Sequence, residues 1–326
     1  MNGKRIIGKV IKVCVSAGLM IVVLRTANLE QVWFSLVNMN IFLFILANLM
    51  NFGRVYVSAY RWKILLEVKG IKIATNRLSN IYFVGIFFNM FLPTALGGDA
   101  ARIFYLWRIS GEKIEAATSV VIERAIGFYA LGLICLFSIL LSFKDLAVFE
   151  QRGMILVICL LYLGVTAAVL NSRCMKMFLA VVSLLPWKGI VSRVTRFYNS
   201  LHEYLEDKKV VFKSLLLSMI YQLAWIVGVM MIGIGSGIDL SPLGYFVFLP
   251  IVLVVTMLPV SISGIGVREA AFVILFGLKG VPPSSAVLLS FLTFSMAIIL
   301  GSFGGVIYAL KDATVKETDM GRPELS

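Results

Sequence analysis

Leu92-Pro93-Thr94-Ala95-Leu96-Gly97-Gly98-Asp99-Ala100-Ala101-Arg102 breaks one apolar run of this chain with a charged elbow. Leu258-Pro259-Val260-Ser261-Ile262-Ser263-Gly264-Ile265-Gly266-Val267-Arg268-Glu269 breaks another in the same manner. In both, Leu-Pro closes an apolar segment, glycines follow, and an arginine stands nine residues after the proline with a carboxylate beside it. Proline ends an incoming helix because it lacks an N–H and collides with the preceding turn. Glycine then admits backbone conformations that other residues resist and lets another group approach closely. Paired, Gly/Pro-interrupted apolar segments in corresponding halves of a chain point to a binding site near the midplane of a membrane bundle.

The rest of the composition agrees with a membrane setting. Apolar residues make up 60% of the chain and the mean hydropathy is +0.95, against about 45–50% apolar in soluble domains. Charged residues are 14%, where soluble proteins carry about 25%. The net charge of +13 is spread over the segments between apolar runs, which is the positive-inside pattern and not a nucleic-acid footprint. Cys14, Cys135, Cys159 and Cys174 lie in or beside apolar runs without paired spacing and read as small core residues. The single His202 cannot build a metal cluster. No phosphate-binding loop, zinc-protease or hydrolase motif is present, so no metal and no cofactor is expected.

Apolar runs near the spanning length of about 20 residues predict six crossings: Val13–Leu24, Ile41–Tyr60, Thr118–Phe143, Met154–Leu170, Val211–Gly235 and Ser284–Leu310. Arg25 before Thr26-Ala27 argues against a cleaved leader. The two elbow regions, Leu78–Trp107 and Leu243–Leu278, are predicted as re-entrant helical hairpins. The expected fold class is therefore an all-α polytopic membrane protein with about six spanning helices and two re-entrant hairpins in an inverted-topology repeat. Residues 1–310 form one membrane domain, with repeats at about 41–143 and 211–310. With this parity the basic linkers after Tyr60 and Leu170, the N-terminus and a polar tail (311–326) are all cytoplasmic. Within 187–209, Ile190, Val194, Phe197, Leu201 and Tyr204 recur at helical spacing. Two readings stay open for this segment: an amphipathic helix on the inner leaflet, or a helix packed on other protein.

A helix that starts at an elbow points its unpaired N–H groups and positive dipole end at the break, which is a ready anion site. Gly97, Gly98, Gly264 and Gly266 shape the two breaks. Arg102 and Arg268 are expected to add full positive charges there, with Asp99 and Glu269 balancing them. A lipid phosphate suits such a pocket, while ordinary surface turns remain the alternative. Glu123 and Arg124 are expected to face the interior and to pair, because an ionised residue at a helix centre costs about 2.5–3.5 kcal/mol on insertion scales; a structural ion pair and a substrate contact are both open readings. Asn48, Asn51 and Ser58 share a face of the second span with Arg54 beside it. That face is either helix–helix adhesion or the wall of a polar path. Gly301, Gly304 and Gly305 allow close packing of the last span.

The stretches FNMFLPTALGGDAARIFYL and LPVSISGIGVREAAFVIL, with VIERAIGFYAL between them, resemble the lysylphosphatidylglycerol synthase transmembrane-region family, also called flippase-like domain proteins. The likeness covers nearly the whole chain. It implies a bacterial or archaeal cytoplasmic-membrane protein that moves a lipid or lipid-linked head-group between leaflets. A stand-alone membrane unit is expected here, without the soluble aminoacyl-transferase domain of the best-known members. The alternatives are a membrane-embedded glycosyl or aminoacyl-lipid transferase, with Asp99 or Glu269 as base, and a non-catalytic subunit partnering a lipid-modifying enzyme.

Overall fold

The computed structural model describes residues 15–91, 97–141, 153, 156–157, 160–164, 197, 199–257, 261 and 264–319. Its helices are, in chain order, α1 (Val15–Thr26), α2 (Leu29–Val37), α3 (Ile41–Val68), α4 (Thr75–Phe91), α5 (Gly97–Ser110), α6 (Lys113–Leu141), α7 (Lys208–Gly235), α8 (Pro242–Thr256), α9 (Val267–Gly277) and α10 (Pro283–Asp319). Among the described residues every regular element is a helix. Among the described residues four helices are long and apolar enough to cross a membrane: α3, α6, α7 and the Pro283–Leu310 part of α10. The bent pair α1–α2, which turns through 79°, raises that number to five when it is taken as one broken span. Most of the fourth expected crossing, Met154–Leu170, lies outside the described residues, as do Pro93, Pro259 and 187–196.

Local chemistry sets the helix limits. Asn40 caps α3 by accepting hydrogen bonds from the amides of Phe42 (3.0 Å) and Leu43 (3.3 Å), and Asp207 does the same for α7 through Lys209 (3.0 Å) and Val210 (3.1 Å). Such caps satisfy amides that no helical carbonyl reaches. The helix α3 does not stop at Tyr60. It carries no Pro or Gly after Gly53 and runs to Val68, which moves Arg61 from the expected cytoplasmic linker into the helix, where it is buried. Similarly α10 continues nine residues past Leu310, through a segment free of Gly and Pro, so residues 311–319 of the expected tail are helical.

The helices α3 and α7 run antiparallel along their full length. The amide of Asn40 at the start of α3 donates to Gly235 O at the end of α7 (2.8 Å), while Lys69 just past the end of α3 pairs with Glu203 just before α7. Lys63, Lys69, Lys72, Lys208, Lys209 and Lys213 therefore gather at one end of the bundle. In the second half of the chain, α10 lies against α4 with Gly304 at the contact. A Cβ there would come 2.0 Å from Phe83 O, so only glycine admits this approach. Each elbow joins two short helices that pack on one another, α4 with α5 and α8 with α9.

Large apolar side chains stay exposed along the outer faces, among them Phe42, Ile45 and Leu49 on α3, Phe137 and Leu141 on α6, and Phe303 and Val306 on α10. On helices of this length such faces belong against lipid. Inside, two apolar clusters occupy opposite ends. Trp62, Leu66, Leu78, Leu106 and Val120 belong to the one at the basic end. Ile134, Ile226, Phe248, Phe272 and Leu289 belong to the other. Along α6 the order is first cluster, then Glu123 to Phe128, then second cluster. The polar residues thus fall between the two apolar layers.

The helical stretch 199–206 sits on this bundle. Leu201 and Tyr204 are buried beside Leu65, Ile122 and Ile126, and Lys69 reaches over the Tyr204 ring (5.0 Å). In its described part, this linker packs its apolar face on protein and not on lipid, because α3 and α6 offer a matching apolar surface.

Candidate functional site

Between the two apolar layers lies a cavity of about 270 Å³. Six helices line it, most of them with side chains at helical spacing: Arg54, Ser58 and Arg61 from α3; Tyr82, Gly85, Ile86 and Asn89 from α4; Gly98, Asp99 and Arg102 from α5; Glu123, Arg124, Gly127 and Phe128 from α6; Tyr221, Gln222 and Trp225 from α7; Leu253 and Met257 from α8. Residues three and four apart share a helix face, so each helix presents one polar stripe inward. Arg61 is eight residues before Lys69 and Glu123 is ten residues after Lys113. At 1.5 Å per residue the charges lie about 12–15 Å from the basic end, well inside the bundle.

Glu123 is the hub. Its Oε1 accepts from Arg61 Nη2 (2.7 Å) and from the Tyr82 hydroxyl, and Ser58 Oγ lies 3.1 Å away; its Oε2 accepts from Arg102 Nη2. Arg102 also faces Asp99 Oδ1 at 3.7 Å, and Asp99 Oδ2 takes a bond from Arg124 Nε. Arg61, Arg102 and Glu123 are 4%, 5% and 1% exposed. Ionised groups this deep are retained only where they pair and bond. Arg102 is further sandwiched by aromatic rings, its guanidinium carbon 3.7 Å from the Tyr82 centroid and 4.3 Å from Trp62. Trp62 itself donates to Ser119 Oγ (3.0 Å).

Arg54 is different. It donates to Asn51 Oδ1 and lies over the Tyr221 ring (4.6 Å), but among the described residues it pairs with no carboxylate. The buried Nε–H groups of Arg61 and Arg102 likewise donate to no partner among the described residues. With four arginines and two carboxylates among the described lining residues, the formal balance is 4 − 2 = +2. The elbow residues 92–96, 258–260, 262 and 263 contain no charged residue.

The start of α5 enters this cavity through close backbone contact. Gly98 N donates to Asn89 Oδ1 (2.6 Å), and a Cβ on Gly98 would come 2.2 Å from Gly85 O. That contact holds the start of α5 against α4 and turns Asp99 and Arg102 inward. Arg102 is the sixth residue of α5, in its second turn.

The second elbow behaves differently despite the equal Pro-to-Arg spacing. Its helix starts at Val267, eight residues after Pro259, whereas α5 starts four residues after Pro93. Arg268 is thus the second residue of α9. Gly266 has φ +82°, a conformation favouring glycine, and a Cβ there would meet Ser16 O at 2.7 Å. Its amide donates to Glu269 Oε2 (2.7 Å), so the chain's own carboxylate fills the start of α9. Glu269 Oε1 accepts from Arg268 and from Ser290 Oγ (3.2 Å), and Arg268 stacks over Phe294 (4.3 Å). Arg268, Glu269, Gly264 and Gly266 lie outside the cavity lining. Among the described residues, the second hairpin reaches the cavity through Leu253 and Met257 only.

The expected pairing of Glu123 with Arg124 is not what forms. Adjacent residues on a helix point about 100° apart, so Glu123 meets α3 and α5 while Arg124 turns to Asp99. Asn51 supports Arg54 and donates to Met296 O (3.5 Å), Asn48 donates to Phe44 O (2.9 Å), and neither lines the cavity. Gly97 is buried at the start of α5 but is not in the lining. Among the lining residues that sequence reading missed are the polar side chains of Arg61, Tyr82, Asn89, Tyr221 and Gln222. The i, i+4, i+7 spacing of Arg54, Ser58 and Arg61 was the available signal for the first of these.

A polytopic helical membrane protein with a charged interior cavity is the class that this fold and site define. The family model of the lysylphosphatidylglycerol synthase TM region matches residues 9–305, and the chain belongs to that family. Among curated proteins it is similar to a UPF0104 membrane protein of Methanothermobacter thermautotrophicus, at 23% identity over 74% of this chain and 76% of the relative. It is likewise similar to a UPF0104 membrane protein of Methanocaldococcus jannaschii, at 22% identity over 87% of this chain and 88% of the relative. No solved structure matches.

Proposed function

We propose that this protein moves a lipid with an anionic head-group between the leaflets of the cytoplasmic membrane, and is a translocase and not an enzyme. The observation that carries the reading is the arginine-rich cavity inside helices of membrane length, with a lining charge of +2 counted as 4 − 2. Crossing hydrocarbon is prohibitive for a phosphate without a polar path. The cavity lining supplies arginine donors together with apolar Ile86, Leu253 and Met257. At about 270 Å³ it falls near the small end of ligand pockets, about 300–1,000 Å³, which suits a head-group whose chains remain in lipid. Arg54, Arg61, Arg102 and Arg124 are the proposed contacts. Alternating access in an inverted repeat of six spans and two hairpins, with both termini cytoplasmic, is the matching mechanism. A lipid-modifying enzyme acting on the same lipid is the partner class implied.

The test is reconstitution of the purified protein in vesicles carrying a head-group-labelled anionic phospholipid, with label reached from outside read over time. Translocation is expected with the unmodified protein and at least a ten-fold slower rate with Arg54→Ala. Rates equal to protein-free vesicles, from protein that remains folded, would overturn the proposal.

A further inference from the structure

We propose that the cavity selects a doubly charged phosphate, that is, a phosphate monoester or diphosphate head-group, over the singly charged phosphodiester of common phospholipids. This rests on the functional reading above and adds the chemical class of the head-group.

A buried charge is tolerated when it is compensated, and Glu123 and Asp99 compensate only two of the four lining arginines. A diester brings one negative charge and leaves one guanidinium uncompensated. A monoester above its second pKa of about 6 brings nearly two and closes the balance. Donor chemistry agrees. The fork of Arg54 has no carboxylate partner among the described residues, and the buried Nε groups of Arg61 and Arg102 have no acceptor. A monoester offers three terminal oxygens to such donors, whereas a diester offers two, and each charge-assisted bond is about twice as strong as a neutral one. Glu123 is held by two arginines and by hydroxyls, so it is not the group the ligand displaces. Arg54 is the selective element, since its charge is the one that a diester fails to require.

The experiment is calorimetric titration of the purified full chain in detergent with four probes: dioctanoyl phosphatidic acid, dioctanoyl phosphatidylglycerol, dioctanoyl phosphatidylcholine and inorganic phosphate, at pH 5 and pH 8. The monoester lipid is expected to bind at least ten-fold more tightly than the diester at pH 8, and more tightly at pH 8 than at pH 5, while the diester changes little. Among the described residues, the titratable groups facing the cavity are Asp99 and Glu123, the phenols of Tyr82 and Tyr221, and the four arginines, with no histidine or cysteine and nothing charged from α8. Arg54→Gln, which lowers the lining charge to +1, should bring the monoester-to-diester ratio down to within about two-fold, while Lys72→Gln at the exposed end of the bundle leaves it unchanged.

Equal affinity for the two anionic lipids in the unmodified protein overturns the dianion assignment and leaves the translocase reading standing. Inorganic phosphate binding as tightly as the monoester lipid keeps the dianion assignment and overturns the lipid reading. Binding of none of the anionic probes overturns both.

Discussion

Glu123→Gln tests whether the interior charges form one compensated network. The carboxylate lies between Arg61 Nη2 at 2.7 Å and Arg102 Nη2, with Tyr82 donating to it and Ser58 3.1 Å away, and is 1% exposed. The amide fills nearly the same volume but carries no charge, so two buried guanidiniums lose their counter-ion and the lining charge rises to +3. Breaking a buried pair by removing one partner costs about 3–5 kcal/mol. Chains larger than about 250 residues shift at the low end of the range, about 2 °C per kcal/mol, so the midpoint should fall by about 6–10 °C. Thermal unfolding in detergent, followed by tryptophan fluorescence, measures this. Adding Arg61→Gln to Glu123→Gln removes one stranded cation and should recover part of the loss, a coupling that independent sites do not show. A Glu123→Gln midpoint within 2 °C of the unmodified protein would refute the network.

Gly98→Ala places a methyl against Gly85 O and Asn89. Overpacking of this kind costs about 1–3 kcal/mol, so the midpoint should fall and anionic-lipid affinity should drop with it, read on the same samples. Arg268→Ala strands Glu269 at the start of α9 and should destabilise by about 3–5 kcal/mol while leaving lipid affinity within two-fold; a ten-fold loss of affinity would place Arg268 in the site after all. Single cysteines at the exposed positions Lys72, Asp239 and Pro282 report topology. Asp239 and Pro282 should label from outside and Lys72 from the cytoplasm, and labelling of Asp239 and Pro282 from opposite sides would end the inverted-repeat proposal.

The lesson of the two elbows is that equal spacing in sequence did not give equal geometry. Both arginines stand nine residues after a proline, yet one is in the second turn of α5 and points into the cavity, while the other sits at the start of α9 and bonds Glu269 and Ser290. The distinguishing signal was local. Gly266 followed three residues later by Glu269 is a self-capping arrangement, which occupies the helix start that an external anion would need. Asp99, the third residue of α5, instead turns to Arg102 and Arg124.

The apolar runs, the Pro/Gly breaks and the basic linkers determined the membrane class, the bounds of α6 and α7 to within a few residues, and the two broken segments, because helix length, hydropathy and backbone restriction are properties of neighbouring residues. Gly301, Gly304 and Gly305 were legible as a packing face for the same reason. Which charges meet was decided only by tertiary structure. Arg61 reaches Glu123 across 62 residues and Arg102 reaches it across 21, and those meetings depend on how far α3 continues and how α3, α5 and α6 are rotated about their axes. Rotation is fixed by packing over whole helices, by contacts such as Gly98 on Gly85 and Gly304 on Phe83, and no short stretch of sequence carries it.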